Sequence, residues 1–91
     1  MTDIQGDLQK AVAGYRLKHG LPADANVVVY MPRATYQRFW ESIDDPNPLF
    51  FVMAFTLMTN IGIRPFDGEF QHDLLADYPE LIFDAYNITA L

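Results

Sequence analysis

Apolar residues recur along this chain first at helical and then at strand spacing. Ile4, Leu8, Ala11, Val12 and Tyr15 fall every three or four positions, with Gln5, Gln9, Lys10 and Arg16 off that stripe. The spacing predicts an amphipathic helix from about Asp3 to His19. Thr2-Asp3-Ile4-Gln5 fits a capping box, in which the Thr2 hydroxyl takes a free backbone amide and the Gln5 side chain reaches back. Arg16, Lys18 and His19 suit the negative end of the helix dipole, and Gly20 supplies a left-handed exit. Gly6 and Gly14 each cost about 1 kcal/mol against alanine, so packing rather than propensity has to hold this helix.

After a connector over residues 21–26, the β-branched run Val27-Val28-Val29-Tyr30-Met31 reads as a strand covered on both faces. Pro32 cannot donate to a ladder but suits the first turn of a helix, so the strand should pass directly into one. Tyr36, Phe39, Trp40 and Ile43 then lie at i, i+3, i+4 and i+7, an aromatic helical face. Asp44-Asp45-Pro46-Asn47-Pro48 is a loop, since each proline pushes its predecessor out of the helical region. Asn47 can cap, and Pro48 can open, a third helix.

The segment from Leu49 to Met58 mixes strand formers (Phe, Val, Thr) with helix formers (Leu, Met, Ala). Its cap and its length favour a helix. Either way, the unbroken apolar positions from Leu49 to Phe55 go all round a helix or fill both faces of a strand, and a domain of this size struggles to cover them. Residues 60–66 alternate loosely and read as a strand ending at the Asp67-Gly68 turn, with Pro65 marking either an edge strand or an early end. Glu69 to Pro79 is irregular, with one helical turn around Asp73 to Asp77, and Leu81 to Tyr86 reads as a last strand. The expectation is a single α+β domain over residues 1–91 in the order α-β-α-α-β-β, a small sheet with helices mainly on one face.

Composition narrows the class. At 91 residues the domain should bury about 60–65% of its unfolded surface, so its core is modest. Residues are 51% apolar and only 20% charged, which indicates a globular rather than a disordered chain. Cysteine is absent, which excludes disulfides and thiolate metal sites and suits a reducing compartment. The amino-terminal residues have neither a basic nor an apolar stretch, so a cytoplasmic location is expected and the Asn87-Ile88-Thr89 sequon is read as coincidental. The ten residues from Leu49 to Met58 fall well short of the roughly 20 needed to span a bilayer.

Charge is unevenly divided. Residues 1–40 carry five bases and three acids, whereas residues 41–91 carry nine acids and only Arg64, so a net charge of −6 conceals a basic start and an acidic remainder. The acids of the second half read either as a solvated face or as a docking face for a basic protein. In the docking reading the face comprises Asp67, Glu69, Asp73, Asp77, Glu80 and Asp84 with the interleaved Phe70 and Tyr78.

Candidate chemistry is thin. Glu69, His72 and Asp73 would share a helical face as a metal or acid/base site requires, but such neighbours arise freely among twelve carboxylates, so no metal site is assigned. Asp44, Asp45 and Asn47 lack the glycine and terminal glutamate of a calcium loop. Ser42 is the only serine and has no nucleophile elbow around it, and five scattered glycines make neither a phosphate loop nor a dinucleotide fingerprint. Tyr30, Tyr36, Phe39 and Trp40 lie near Arg33 and Arg38, but the net negative charge argues against direct nucleic-acid binding.

These observations give the expectation of a non-enzymatic interaction or assembly protein without a cofactor, self-associating through Trp40, Phe50, Phe51 and Phe55. The alternative is an acidic inhibitor, of the kind encoded by viruses or mobile elements, that occupies a basic site on a nucleic-acid-binding protein.

Overall fold

The computed structural model describes residues 3–66, 78–84 and 88–90. Its elements are α1 (Ile4–Lys18), β1 (Val27–Pro32), α2 (Arg33–Glu41), α3 (Pro48–Thr59), β2 (Ile61–Phe66), β3 (Glu80–Phe83) and β4 (Ile88–Ala90). This is the expected α+β order with one further short strand at the end. The expected last strand is found at Glu80–Phe83, with Ala85 and Tyr86 of that expectation lying outside the described residues, and a three-residue β4 is too short to show a period-2 pattern.

The sheet order is β2-β1-β3-β4. Strand β1 pairs in parallel with β2, Val27 opposite Ile61, and with β3, Val29 opposite Leu81, while β4 runs antiparallel to β3. Lying between two strands, β1 is buried on both faces from Val27 to Met31, as its β-branched run predicts. Pro65 falls on β2, an edge strand, where a missing backbone donor is tolerated.

Val27, Val29 and Met31 alternate along β1 and so point to one face, where they join Ile4, Leu8 and Val12 of α1, Phe39 of α2 and Phe55 of α3 in a single buried cluster. All three helices therefore pack on that face. Pro32 both ends β1 and caps α2, so strand passes to helix without a loop. Thr35 and Phe39 form the buried side of α2, while Tyr36 and Ile43 are partly buried against the core.

The start of α1 differs from the capping-box expectation. Asp3 is the cap, its Oδ1 accepting from the Gly6 amide at 3.1 Å, while Gln5 donates through Nε2 to the Ser42 carbonyl and hydroxyl. Gln5 thus ties α1 to the carboxyl end of α2 instead of reaching back to its own first turn. At the other end Gly20 adopts φ +67°, the left-handed exit foreseen for it.

Arg16 departs furthest from its expected role. It continues the Ile4-Leu8-Val12 row at i+4 and is only 7% exposed. Its guanidinium donates to the carbonyls of Ala23 (Nη1, 2.9 Å), Ala25 (Nε, 3.0 Å) and Thr59 (Nη2, 3.0 Å). One side chain therefore holds the end of α1, the connector before β1 and the last turn of α3. Burial lowers the Arg16 pKa from its ordinary value, and the nearby Asp24 carboxylate partly opposes that shift.

Candidate association surface on helix α3

Helix α3 is set by local chemistry at both ends. The Asn47 side chain accepts from the Phe50 amide at 3.2 Å, Pro48 occupies the first turn, and Asp45 accepts from the Asn47 amide at 2.8 Å. At the far end Asn60 takes the left-handed conformation, φ 57°, and its amide donates to the Thr56 carbonyl. The Asn60 side chain then donates to the Asp24 carbonyl at 2.8 Å, and Thr59 Oγ1 donates to the Phe55 carbonyl. With the Arg16 contact to Thr59, these bonds fix the carboxyl end of α3 against α1 and the connector.

The helix is held down by aromatics. Phe55 is 7% exposed and meets Phe39 edge to face at 5.7 Å, while Phe51 stacks on Phe55 and Val52 also packs against the core. At about 100° per residue, Leu49, Phe50, Met53 and Leu57 occupy an arc of about 100° on the side opposite Phe55, with Met58 at its flank. All five are between 60% and 83% exposed. No charged residue occurs in Pro48–Thr59.

Taking about 200 Å² for a large apolar side chain, these five expose on the order of 700 Å². The largest apolar patch on a typical monomer is about 300–600 Å², and each partner in a standard interface contributes roughly 800 Å².

The four residues expected to mediate association are thus separated by the structure. Phe50 lies on the exposed arc, Phe51 is half-buried and Phe55 is a core residue whose ring anchors the helix from beneath. Trp40 is half-buried on α2, edge to face with Tyr36 at 6.1 Å. The exposed members that the aromatic emphasis missed are Leu49, Met53, Leu57 and Met58. Placing the buried pole at Phe55 would have found Leu49, Met53 and Leu57, because the opposite arc follows from helical geometry, whereas Met58 lies only about 60° from Phe55 and is exposed in the last turn.

Of the expected acidic face, Asp67, Glu69, Phe70, Asp73 and Asp77 lie outside the described residues, as do His72 and the Asp67-Gly68 turn. Tyr78 is exposed just before β3, whereas Glu80 and Asp84 are half-buried and each already interacts within the chain. The described residues therefore bring together no acidic surface. Among them, no three His, Cys, Asp or Glu side chains converge on a point that could hold a metal ion. Ser42 Oγ donates to the Phe39 carbonyl and accepts from Gln5 Nε2, serving the junction of α1 and α2. No described helix is long and apolar enough to cross a membrane.

A groove of about 420 Å³ adjoins the carboxyl end of α3, lined by Lys10, Ala13 and Arg16 of α1, Asp24 of the connector, and Met58 and Asn60. A second, more apolar hollow of about 280 Å³ shares Ala13, Arg16 and Ala23 with it and extends to Leu17 and Leu21. Leu17 is among the most exposed apolar residues of the chain. The exposed apolar surface therefore passes from α3 across Met58 into a concavity on α1. No known protein family, no characterised protein and no solved structure matches this chain.

Proposed function

We propose that this is a non-enzymatic assembly protein that associates with copies of itself through the exposed side of α3. One observation carries the reading: a well-capped, uncharged twelve-residue helix is pinned in place with five large apolar side chains facing outward. Exposure on that scale costs solubility unless a second surface covers it. A chain of net charge −6 repels its own copies through most of its surface, so a neutral face is where two copies meet at the least electrostatic cost. A cysteine-free chain suits assembly in a reducing compartment such as the cytoplasm.

The test is sedimentation equilibrium of the wild-type chain beside Met53→Asp. Wild type should be an oligomer. The variant, which places a carboxylate in the middle of the exposed arc, should associate roughly 100-fold more weakly, equivalent to about 2.7 kcal/mol. Association should persist from 50 to 500 mM salt (about 14 to 4 Å of screening length), whereas an acidic inhibitor would lose a basic partner over that range. A wild-type chain that stays monomeric at millimolar concentration would sink the proposal.

A further inference from the structure

We infer that two copies pair through α3 in antiparallel fashion about a twofold axis beside Met53, with Phe50 of each copy seated against Leu57 and the groove at the α1–α3 junction of the other. The inference rests on the self-association proposed above and adds its geometry. A twofold contact presents the same patch from both sides, so each end of that patch must fit the opposite end.

The two ends of the α3 surface differ in the manner such a contact needs. At the amino end Leu49 and Phe50 stand out from the first turn, 64% and 65% exposed. At the carboxyl end the surface falls away past Met58 into the two adjoining hollows, whose apolar lining includes Ala13, Leu17 and Leu21. The projection and the concavity are about seven residues apart on α3, roughly 11 Å at 1.5 Å per residue. An antiparallel partner centred beside Met53 places one against the other twice. A parallel pair would instead set projection against projection and leave both hollows empty.

Charge selects the same direction. Asp44 and Asp45, both exposed, precede the amino end of α3, and Lys10, also exposed, lines the groove at its carboxyl end. Antiparallel pairing brings Asp44 and Asp45 of each copy towards Lys10 of the other, while parallel pairing sets like charges together. Asp24 also borders the groove, but it lies beside the guanidinium of Arg16. Between the charged ends the α3 surface itself is uncharged, so the helix-to-helix contact buries no ion. An area on the order of 700 Å² on each copy approaches a standard interface, and the hollows supply the remainder.

The absence of native cysteine makes the geometry directly readable. A disulfide requires Cα atoms within about 7 Å. Met53→Cys, beside the axis, should form a linked dimer on mild oxidation. In the antiparallel pair two copies of residue 50 lie roughly 10 Å apart along the helix direction, as do two copies of residue 57. Phe50→Cys and Leu57→Cys should therefore each stay unlinked alone and link when mixed. Ala34→Cys, at an exposed position of α2, serves as the background. Linking of Phe50→Cys and of Leu57→Cys each on its own would show a parallel pair and overturn the inference. So would background linking in every sample while sedimentation still shows an oligomer, a result that leaves self-association standing with another face responsible. A monomer by sedimentation would overturn both.

Discussion

Helices α1 and α3 feed the same core, yet their buried and exposed sides are composed in opposite ways. On α1 the row Ile4, Leu8, Val12 goes inward and is completed by a charged residue, Arg16, while Gln9, Lys10 and Lys18 face water with Leu17 as the one large apolar side chain among them. On α3 the inward side is Phe55 flanked by Phe51 and Val52, and the outward side is apolar as well. The charge inside α1 is accounted for within the chain, because the backbone carbonyls of Ala23, Ala25, Thr59 and Asn60 receive its guanidinium. Nothing among the described residues accounts for the apolar side chains outside α3. An exception that the fold resolves internally is structural, and one that it leaves open points to a partner.

The sharpest break of the comparison is to truncate one leucine from each helix. Leu8 is fully buried and Leu57 is 79% exposed. Leu8→Ala should lose about 3–5 kcal/mol of folding stability, since its cavity cannot collapse fully in a packed core. Leu57→Ala should change the monomer by less than about 0.5 kcal/mol. Urea denaturation of both proteins at a concentration where association is negligible reads the difference. Comparable losses at the two sites would mean that α3 is covered within the chain after all.

Arg16 gives the next largest effect. Arg16→Ala strands the carbonyls of Ala23, Ala25 and Thr59, and a loss of about 2–4 kcal/mol is expected even with water entering the neighbouring groove. Arg16→Lys should recover only part of it, because an ammonium cannot reproduce a planar fork of donors. The sign with pH follows from burial. A base whose folded pKa lies below its unfolded value binds fewer protons when folded, so stability rises with pH only across the strongly alkaline window between those two values. Arginine stays charged well beyond neutrality. The loss in Arg16→Ala should therefore be flat from pH 5 to 9, and a loss that varies across that range would indicate that another titrating group, rather than Arg16, is being read.

The same contrast explains what the amino-acid sequence made legible. Strand β1, the Pro32 junction, the Asn47-Pro48 start of α3 and the edge position of Pro65 follow from side-chain chemistry that acts within a few residues, and all are found where that chemistry puts them. Arg16 escaped because a dipole role at a helix end is local, whereas its carbonyl partners come from the connector and from residue 59. Its signal was the unbroken i+4 row from Ile4. The surplus of apolar residues over Leu49–Met58 was plain, but which of them would be surplus depended on the pole at which Phe55 meets Phe39, a contact between residues sixteen apart. Asp3 displaced Thr2 as the cap for a similar reason, since Gln5 found a partner at Ser42, 37 residues away.

The smallest effect probes the polar side of α1 against the approach to α3. Lys10→Glu reverses an exposed charge and should leave folding stability within about 0.5 kcal/mol, whereas Asp44→Lys with Asp45→Lys also removes the Asp45 acceptor of the Asn47 amide and should cost on the order of 1 kcal/mol. Exposed pairs contribute only about 0.2–1 kcal/mol each, so the apolar surface supplies the affinity and these charges set its direction. Each variant alone should self-associate a few-fold more weakly than wild type at low salt. When the two are mixed, the introduced glutamate of the first chain faces the two introduced lysines of the second. At the opposite end the native Asp44 and Asp45 of the first chain face the native Lys10 of the second, so both ends regain attraction. Sedimentation of the equimolar mixture should show mixed dimers favoured over either homodimer, and the preference should fade as the screening length falls to about 3 Å in 1 M salt. A mixture no more associated than its components would place Lys10 away from Asp44 and Asp45 of the second copy, leaving the hollows beside Met58 as the only feature that could orient one α3 against another.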